Sequence, residues 1–383
     1  MIVTNFAYGT GPYLRSTELA IAFNDEWEQA GYERLGIVVP WVYGEQQKRV
    51  MLEEFGAYEN EHPGQILLDR ELGSLLRSVF YADSAYERAL EKWIMLAQSV
   101  SEKANKHLSG SLAVETLAGE RREVNGKDIR IELSRCPRIR YDVAPSYFFS
   151  FAYVGDILQR AEEIREIAVD KELLKRGVKI ADAVETVQRM RCMAYPATFA
   201  YLGEKEPRYA DEILVPPLVS PQKSNGDAIG QGIFVTITGI PGLERLYADA
   251  KRLGIRLYSN DPPQLPGSIK ALPSIIPNQK ILFQFARAGW SSIWISMMSG
   301  TPLVVPAYDA KDDPEIYFNN RSVEELQLGV IYRGQTIETI LKESSRIKAS
   351  YERMRKEILN RWGTLDGNRY CAKLFAGDFL RGQ

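Results

Sequence analysis

The 383 residues of this chain, 43.4 kDa in mass, exceed what one hydrophobic core usually serves, so two domains are expected. With 45% hydrophobic and 26% charged residues the chain can fill those cores, which excludes a disordered or collagen-like protein. A net charge of −2 leaves no basic excess to neutralise a phosphate backbone, so nucleic acid is not an expected partner. Cys136, Cys192 and Cys371 lie far apart with no CxxC pair, which fits a reducing compartment and neither a disulfide framework nor a thiolate zinc site. The opening residues lack the basic and apolar regions of a signal peptide, and no run approaches the ~20 apolar residues of a membrane span. A cytoplasmic protein is expected.

In chain order, the β-branched and aromatic run Ile2 to Phe6 precedes Gly9-Thr10-Gly11-Pro12 and then Leu14, Leu19, Ala20 and Phe23 at helical spacing, a strand-turn-helix opening. Gly36 to Pro40 and Gln65 to Asp69 read as further buried strands, and long helical patterns run from Ala85 to His107 and from Asp156 to Val178. The aromatic run Tyr147 to Tyr153 reads as a core strand feeding the second of these helices. Prolines 207, 216, 217 and 221 with the polar KSNGD stretch resist helix and central strand, so residues 206–230 read as a linker. Beyond it come a strand from Gly232 to Thr238, the turn Gly239 to Gly242, a helix from Leu243 to Leu253 and a strand from Ile255 to Ser259. A strand from Ile281 to Ala286, a turn over residues 287–292, a helix from Ile293 to Ser299 and a strand from Pro302 to Pro306 follow, and the tail from Ser322 is largely helical. Strands alternating with helices predict parallel sheets, hence an α/β protein of two Rossmann-like doubly wound domains. The domains span residues 1–205 and 231–365, and residues 366–383 form a helical tail that could pack back on the first.

A glycine turn between strand and helix offers free N–H groups at the positive end of a helix dipole, suited to phosphate. Gly9-Thr10-Gly11 and Thr238-Gly239 are two such turns, each as readily explained by a tight connection needing positive φ. Neither completes a dinucleotide fingerprint, and the Walker A pattern is absent. The third turn is more specific: RAGWSSIWISMMSGTPLVVPAYD joins a glycine turn, two hydroxyls at a helix start, Gly-Thr-Pro and a buried strand.

This segment, over about residues 275–332, resembles the donor site of GT-B glycosyltransferases, which carry His-Gly-Gly-x-Gly-Thr, a helix, Gly-x-Pro, a strand, and an Asp-Gln pair followed by Asn. The resemblance implies two domains facing a cleft, a nucleotide-diphosphate sugar such as a UDP-sugar as co-substrate on the second domain, and an acceptor on the first. The acceptor would be a glycan, a lipid-linked molecule or a small molecule, and the activity hexosyl or N-acetylhexosaminyl transfer. Gly289, Ser291 and Ser292 would hold the donor phosphates, assisted by Thr238 and Gly239, with Arg287 in the place of the family's His. Asp312, Asp313 and Asn319 would lie at the donor sugar, although the aspartates could equally cap the following helix. Ile275 and Ile276 fall near the segment that receives the base, and Gly9, Thr10 and Gly11 form the N-terminal glycine loop. No carboxylate cluster of DxD type lies near these turns, so neither a metal nor another cofactor is expected.

The chain also departs from the pattern. Ile295 stands where many members place a ribose-binding Glu, and neither His62 nor His107 lies near the N-terminal glycine turn, where inverting members keep a general base. Both histidines read as surface residues, and Asp83 and Asp142 are the substitute candidates for the base. The helix from Ile347 to Arg361 carries five basic residues interleaved with Glu352 and Glu357, which favours an exposed helix over weak association with an anionic membrane surface. The competing functions are a non-catalytic nucleotide-binding scaffold of glycan assembly and a nucleotide-sugar epimerase of the same fold.

Overall fold

The computed structural model describes residues 1–80, 85–203, 207–221, 229–236 and 243–382. In the first unit the strands are β1 (Ile2–Phe6), β2 (Ile37–Pro40), β3 (Ile66–Asp69), β4 (Ser111–Thr116), β5 (Arg121–Asn125), β6 (Ile131–Arg135), β7 (Ser146–Ser150), β8 (Met190–Ala194) and β9 (Glu212–Val215). They form one sheet in the order β5-β4-β3-β2-β1-β6-β7-β8-β9. It is parallel from β3 to β9, and the β4–β5 hairpin adds on antiparallel. The second unit holds β10 (Gly232–Val235), β11 (Arg256–Ser259), β12 (Ile269–Lys270), β13 (Ile281–Phe285), β14 (Leu303–Pro306) and β15 (Val330–Tyr332). Its sheet, in the order β12-β11-β10-β13-β14-β15, is parallel throughout. The α/β expectation with two parallel-strand sheets is met.

Helices α1 (Thr10–Gln29), α2 (Gly44–Glu61), α3 (Arg70–Arg77), α4 (Tyr86–Leu108), α5 (Val154–Ala161) and α6 (Lys171–Glu185) belong to the first unit. In the second lie α7 (Leu243–Arg252), α8 (Trp290–Ser299), α9 (Pro314–Glu325), α10 (Ile337–Lys342) and α11 (Ser344–Trp362), and α12 (Gly367–Arg381) closes the chain. Several elements differ from expectation. The helix expected from Asp156 to Val178 is two helices, because the Asp170 carboxylate caps a fresh start by accepting the Leu173 N–H. Residues 212–215, inside the stretch read as linker, pair with β8 as an edge strand, where the neighbouring prolines cost no ladder bond. The apolar face of α11 (Ile347, Tyr351, Met354 and Ile358) is buried in its own unit, which leaves that helix no apolar face for lipid. Among the described residues no helix is long and apolar enough to cross a membrane.

The chain crosses between the units more than once: Met1–Ala194, Pro207–Val215 and Asn368–Gln383 make the first, Tyr195–Glu206 and Pro216–Gly367 the second. Residues 368–382 are held to the first unit by packing. The Phe375 ring lies 5.0 Å from that of Tyr147, Phe379 lies 5.6 Å from Trp27, and Asp378 accepts from both the Tyr147 hydroxyl and Arg189. Phe375→Ala should therefore cost the first unit about 3–5 kcal/mol in denaturant unfolding, the penalty of an aromatic-sized cavity.

Glu132 and Glu185 are two of the carboxylates buried inside the first unit. Glu132 on β6 accepts from Asn5 on β1, and Glu185 at the end of α6 accepts from the Val154 and Gly155 N–H groups that start α5. Burial pushes each carboxyl up to about 7 despite these bonds. The folded unit thus retains protons that the unfolded chain releases near pH 4.5, so this stability is present below that pH and is lost as pH rises through 7. Glu132→Gln mimics the protonated form and should raise unfolding free energy by about 3 kcal/mol at pH 8 while changing little at pH 4. An equal gain at both pH values would trace the effect to packing instead.

Candidate functional site

In the second unit the strand order reverses between β10 and β13, and open parallel sheets place ligands beyond the C-terminal ends of the strands at such a reversal. The chain leaves β13 at Phe285, turns through Ala286 to Gly289 and enters α8 at Trp290 rather than at Ile293. Ser291 and Ser292, both half-buried, thereby occupy the first helical turn. Gly289 is the N-cap residue, with φ −91° and ψ 142°, and its carbonyl accepts from the Ser292 and Ile293 N–H groups at 3.0 and 3.1 Å. No side chain caps the helix. The N–H groups of Trp290 and Ser291, which no intrahelical carbonyl can reach, therefore stand at the positive end of the dipole. A Cβ built on Gly289 would meet nothing within 4 Å, so space is open in front of this turn.

Three links fasten the turn to the segment after β14. The Arg287 guanidinium pairs with the Asp312 carboxylate, each side chain about one-third exposed (36% and 34%). Asn319 donates to the Ala288 carbonyl at 2.7 Å and accepts from the Trp290 indole at 2.9 Å, while the same indole donates to Thr198 at 3.0 Å. Burial pushes the Asp312 carboxyl upward, and Arg287 together with the Asp313 N–H opposes it. Asp313 is almost fully buried and accepts from the Glu315 N–H as the cap of α9, so the capping alternative describes that member of the pair. Asn319, expected at the donor sugar, is fully buried with its amide spent inside the domain: it holds the turn and presents nothing to a ligand.

The remaining expected positions scatter. Thr238, Gly239 and Asp83 lie outside the described residues. Ile275 and Ile276 are core residues, 3% and 0% exposed, so their side chains do not offer a surface to a base. Ile295 is likewise buried, and Gly300 of Gly-Thr-Pro adopts φ 73° as the left-handed cap of α8, which gives that glycine a conformational reason. In the first unit Gly9, with φ 115°, precedes Thr10 and Gly11 in the first turn of α1 and donates its N–H to the Tyr43 hydroxyl. Asp142 is exposed, paired with Arg140, and sits on the approach to β7 close enough to Glu132 to push that carboxyl up. That is the approach to the strands' N-terminal ends, away from the edge where such sheets bind ligands. His107 is not a surface residue: its side chain is 8% exposed and its Nε2 lies 2.8 Å from the buried Asp69 carboxylate. Burial alone would lower its pKa, but Asp69 and Glu71 raise it.

Nothing in the sequence pointed to the groups at the first sheet's own reversal, between β1 and β6. Arg135, 1% exposed, lies over the rings of Phe149 and Phe151, and Cys136 takes φ 47°, a left-handed conformation unusual for a side chain that is not glycine. The Cys136 sulfur is 2.6 Å from the Ser150 hydroxyl. Among the described residues no cluster of three or more His, Cys, Asp or Glu is placed to hold a metal ion.

No protein-family model matches the sequence, and no curated protein matches it either. Solved structures do match the fold over nearly the whole chain. TcCGT1, solved in complex with UDP, is similar with a TM-score of 0.63 at 11% identity, over 100% of this chain and 99% of the other. The calicheamicin glycosyltransferase CalG4 gives a TM-score of 0.56 at 13% identity, over 99% and 98%. UGT71G1 of Medicago truncatula, complexed with UDP-glucose, gives 0.52 at 14% identity, again over 99% and 98%. With two α/β sheets built on parallel strands and neighbours of this kind across its full length, the chain has the GT-B fold.

Proposed function

We propose that this protein is a glycosyltransferase that moves a hexose-type sugar from a nucleotide diphosphate, most simply UDP, to an acceptor bound by the N-terminal unit. The observation that carries the reading is the uncapped start of α8 beside Arg287, at the strand-order reversal of the second sheet. Transfer joins an acceptor nucleophile to the sugar's anomeric carbon as the bond from that carbon to the diphosphate breaks; the acceptor's proton leaves to solvent or to a basic group, and the bonding pair stays on the phosphate oxygen. The new charge there is met by a guanidinium and by helix N–H groups already fixed in place, which need no reorganisation as it develops. Ser291 and Ser292 add hydroxyl donors to the same turn, and Thr238 and Gly239 are proposed to assist them. UDP is the nucleotide of choice because neighbours of the same fold were solved with UDP or UDP-glucose.

Binding of UDP, GDP, dTDP and CDP to the full chain tests the reading, since a nucleotide held at 100 times its Kd should stabilise the fold by about 2.7 kcal/mol. Release of nucleoside diphosphate from a sugar donor distinguishes the transferase from a scaffold, which binds without turnover. Arg287→Ala should weaken nucleoside-diphosphate binding by about 1.5–3 kcal/mol, and unchanged affinity by calorimetry removes Arg287 from the site.

Gly289→Val provides a separate check. Its φ of −91° and the empty space around its Cβ direction mean that the fold accepts the side chain. Loss of nucleotide binding with unchanged circular dichroism is therefore expected, and normal binding would place the phosphates elsewhere.

A further inference from the structure

Asp312 does not stand free beside the proposed donor site: its carboxylate is paired with Arg287, and the two side chains are equally accessible. The same Oδ1 atom accepts the Asp313 N–H at 2.7 Å, and the Asp312 carbonyl accepts the Tyr308 hydroxyl at 3.1 Å. Asp313 in turn caps α9. The carboxylate is therefore anchored to the backbone of the β14–α9 connection, whereas Arg287 reaches it on a long side chain from the turn before α8.

We infer that Asp312 is a positioning residue, which holds the Arg287 guanidinium in place for a nucleoside diphosphate arriving at the start of α8. The inference rests on the reading of that turn as the donor phosphate site. A guanidinium has five N–H donors, and the pairing with Asp312 runs through one Nη nitrogen, so a carboxylate and a phosphate can share the group while the pairing restricts the side chain's rotamers. The planar fork is useful only when its plane is fixed, and the Asp312 pairing contributes to fixing it. Neutralisation of part of the positive charge is the accompanying cost, and the sign of the effect on affinity tells which of the two dominates.

The test measures UDP affinity by calorimetry, with GDP, dTDP and CDP in parallel, for the full chain and for Asp312→Ala, Asp312→Asn, Arg287→Ala and the double variant Arg287→Ala/Asp312→Ala. Positioning predicts that Asp312→Ala weakens binding about five- to thirtyfold. Asp312→Asn, which keeps an acceptor oxygen for Arg287 and for the Asp313 N–H, should lose less. The double variant should bind no worse than Arg287→Ala alone, because Asp312 acts through Arg287. Melting temperatures that stay near the parent's separate this from a structural role, which would shift melting and leave affinity alone.

Tighter binding by Asp312→Ala would show the carboxylate competing with phosphate and would overturn the inference. So would losses that add in the double variant, or an affinity that Asp312→Ala leaves unchanged. If the parent chain binds none of the four nucleotides, or if Arg287→Ala binds as the parent does, the donor-site reading falls and the inference falls with it. Binding that depends on Arg287 but not on Asp312 sinks the inference alone.

Discussion

The start of α8 is held in place through one indole. Trp290, the first residue of α8, donates a single N–H shared between Asn319 and Thr198, and Asn319 carries the link onward to the Ala288 carbonyl. These groups are buried, and a buried polar group without a partner costs roughly 1–3 kcal/mol, so the arrangement is satisfied together or not at all. It fixes the height of α8 against α9, and hence where the open N–H groups of the first turn stand. Ser322 on α9 adds a bond to the Thr198 carbonyl, and Trp294, one turn along α8, donates to the Pro196 carbonyl. A segment far away in sequence, residues 195–203, is thus a structural wall of this unit.

The proposed anion site is built on that frame. Nothing inside the helix serves its first N–H groups, no side chain caps it, and glycine at the cap keeps the approach open. The adjacent α9 differs, because Asp313 caps it and its own end is occupied. Two neighbouring aspartates therefore do different work: one closes a helix end, and the other holds the arginine beside an open one. In the first unit the buried start of α5 is met in a third way, with Glu185 lying across it.

The pattern at the second sheet's reversal was legible because it is local: a strand, a glycine, hydroxyls and a helix are contiguous from Ile281 to Ser299. Local too were β1, β2, β3 and α4, which the sequence places within a residue or two. What escaped had weaker or longer-range signals. β8 reads Met-Arg-Cys-Met-Ala, without a β-branched residue, and becomes a strand because β7 and β9 flank it. The hairpin of β4 and β5 carries an alternating pattern only on β4, since β5 is almost wholly exposed. His107 looked like the end of a charged helix because its partner, Asp69, lies 38 residues earlier.

By itself the sequence determined the periodicity of most strands and helices, two stretches able to build separate sheets, and the Arg-Ala-Gly-Trp-Ser-Ser turn, since each of these depends on residues close together in the chain. Only the tertiary structure decided what each polar group at that turn does. Asn319 and Asp313 became internal supports, Asp312 became a partner for Arg287, and the final helix became part of the first unit's core. The reason is physical: burial and pairing are settled by whatever arrives from elsewhere in the chain, and an amide or carboxylate has the same chemistry whether a ligand or a buried N–H comes to meet it.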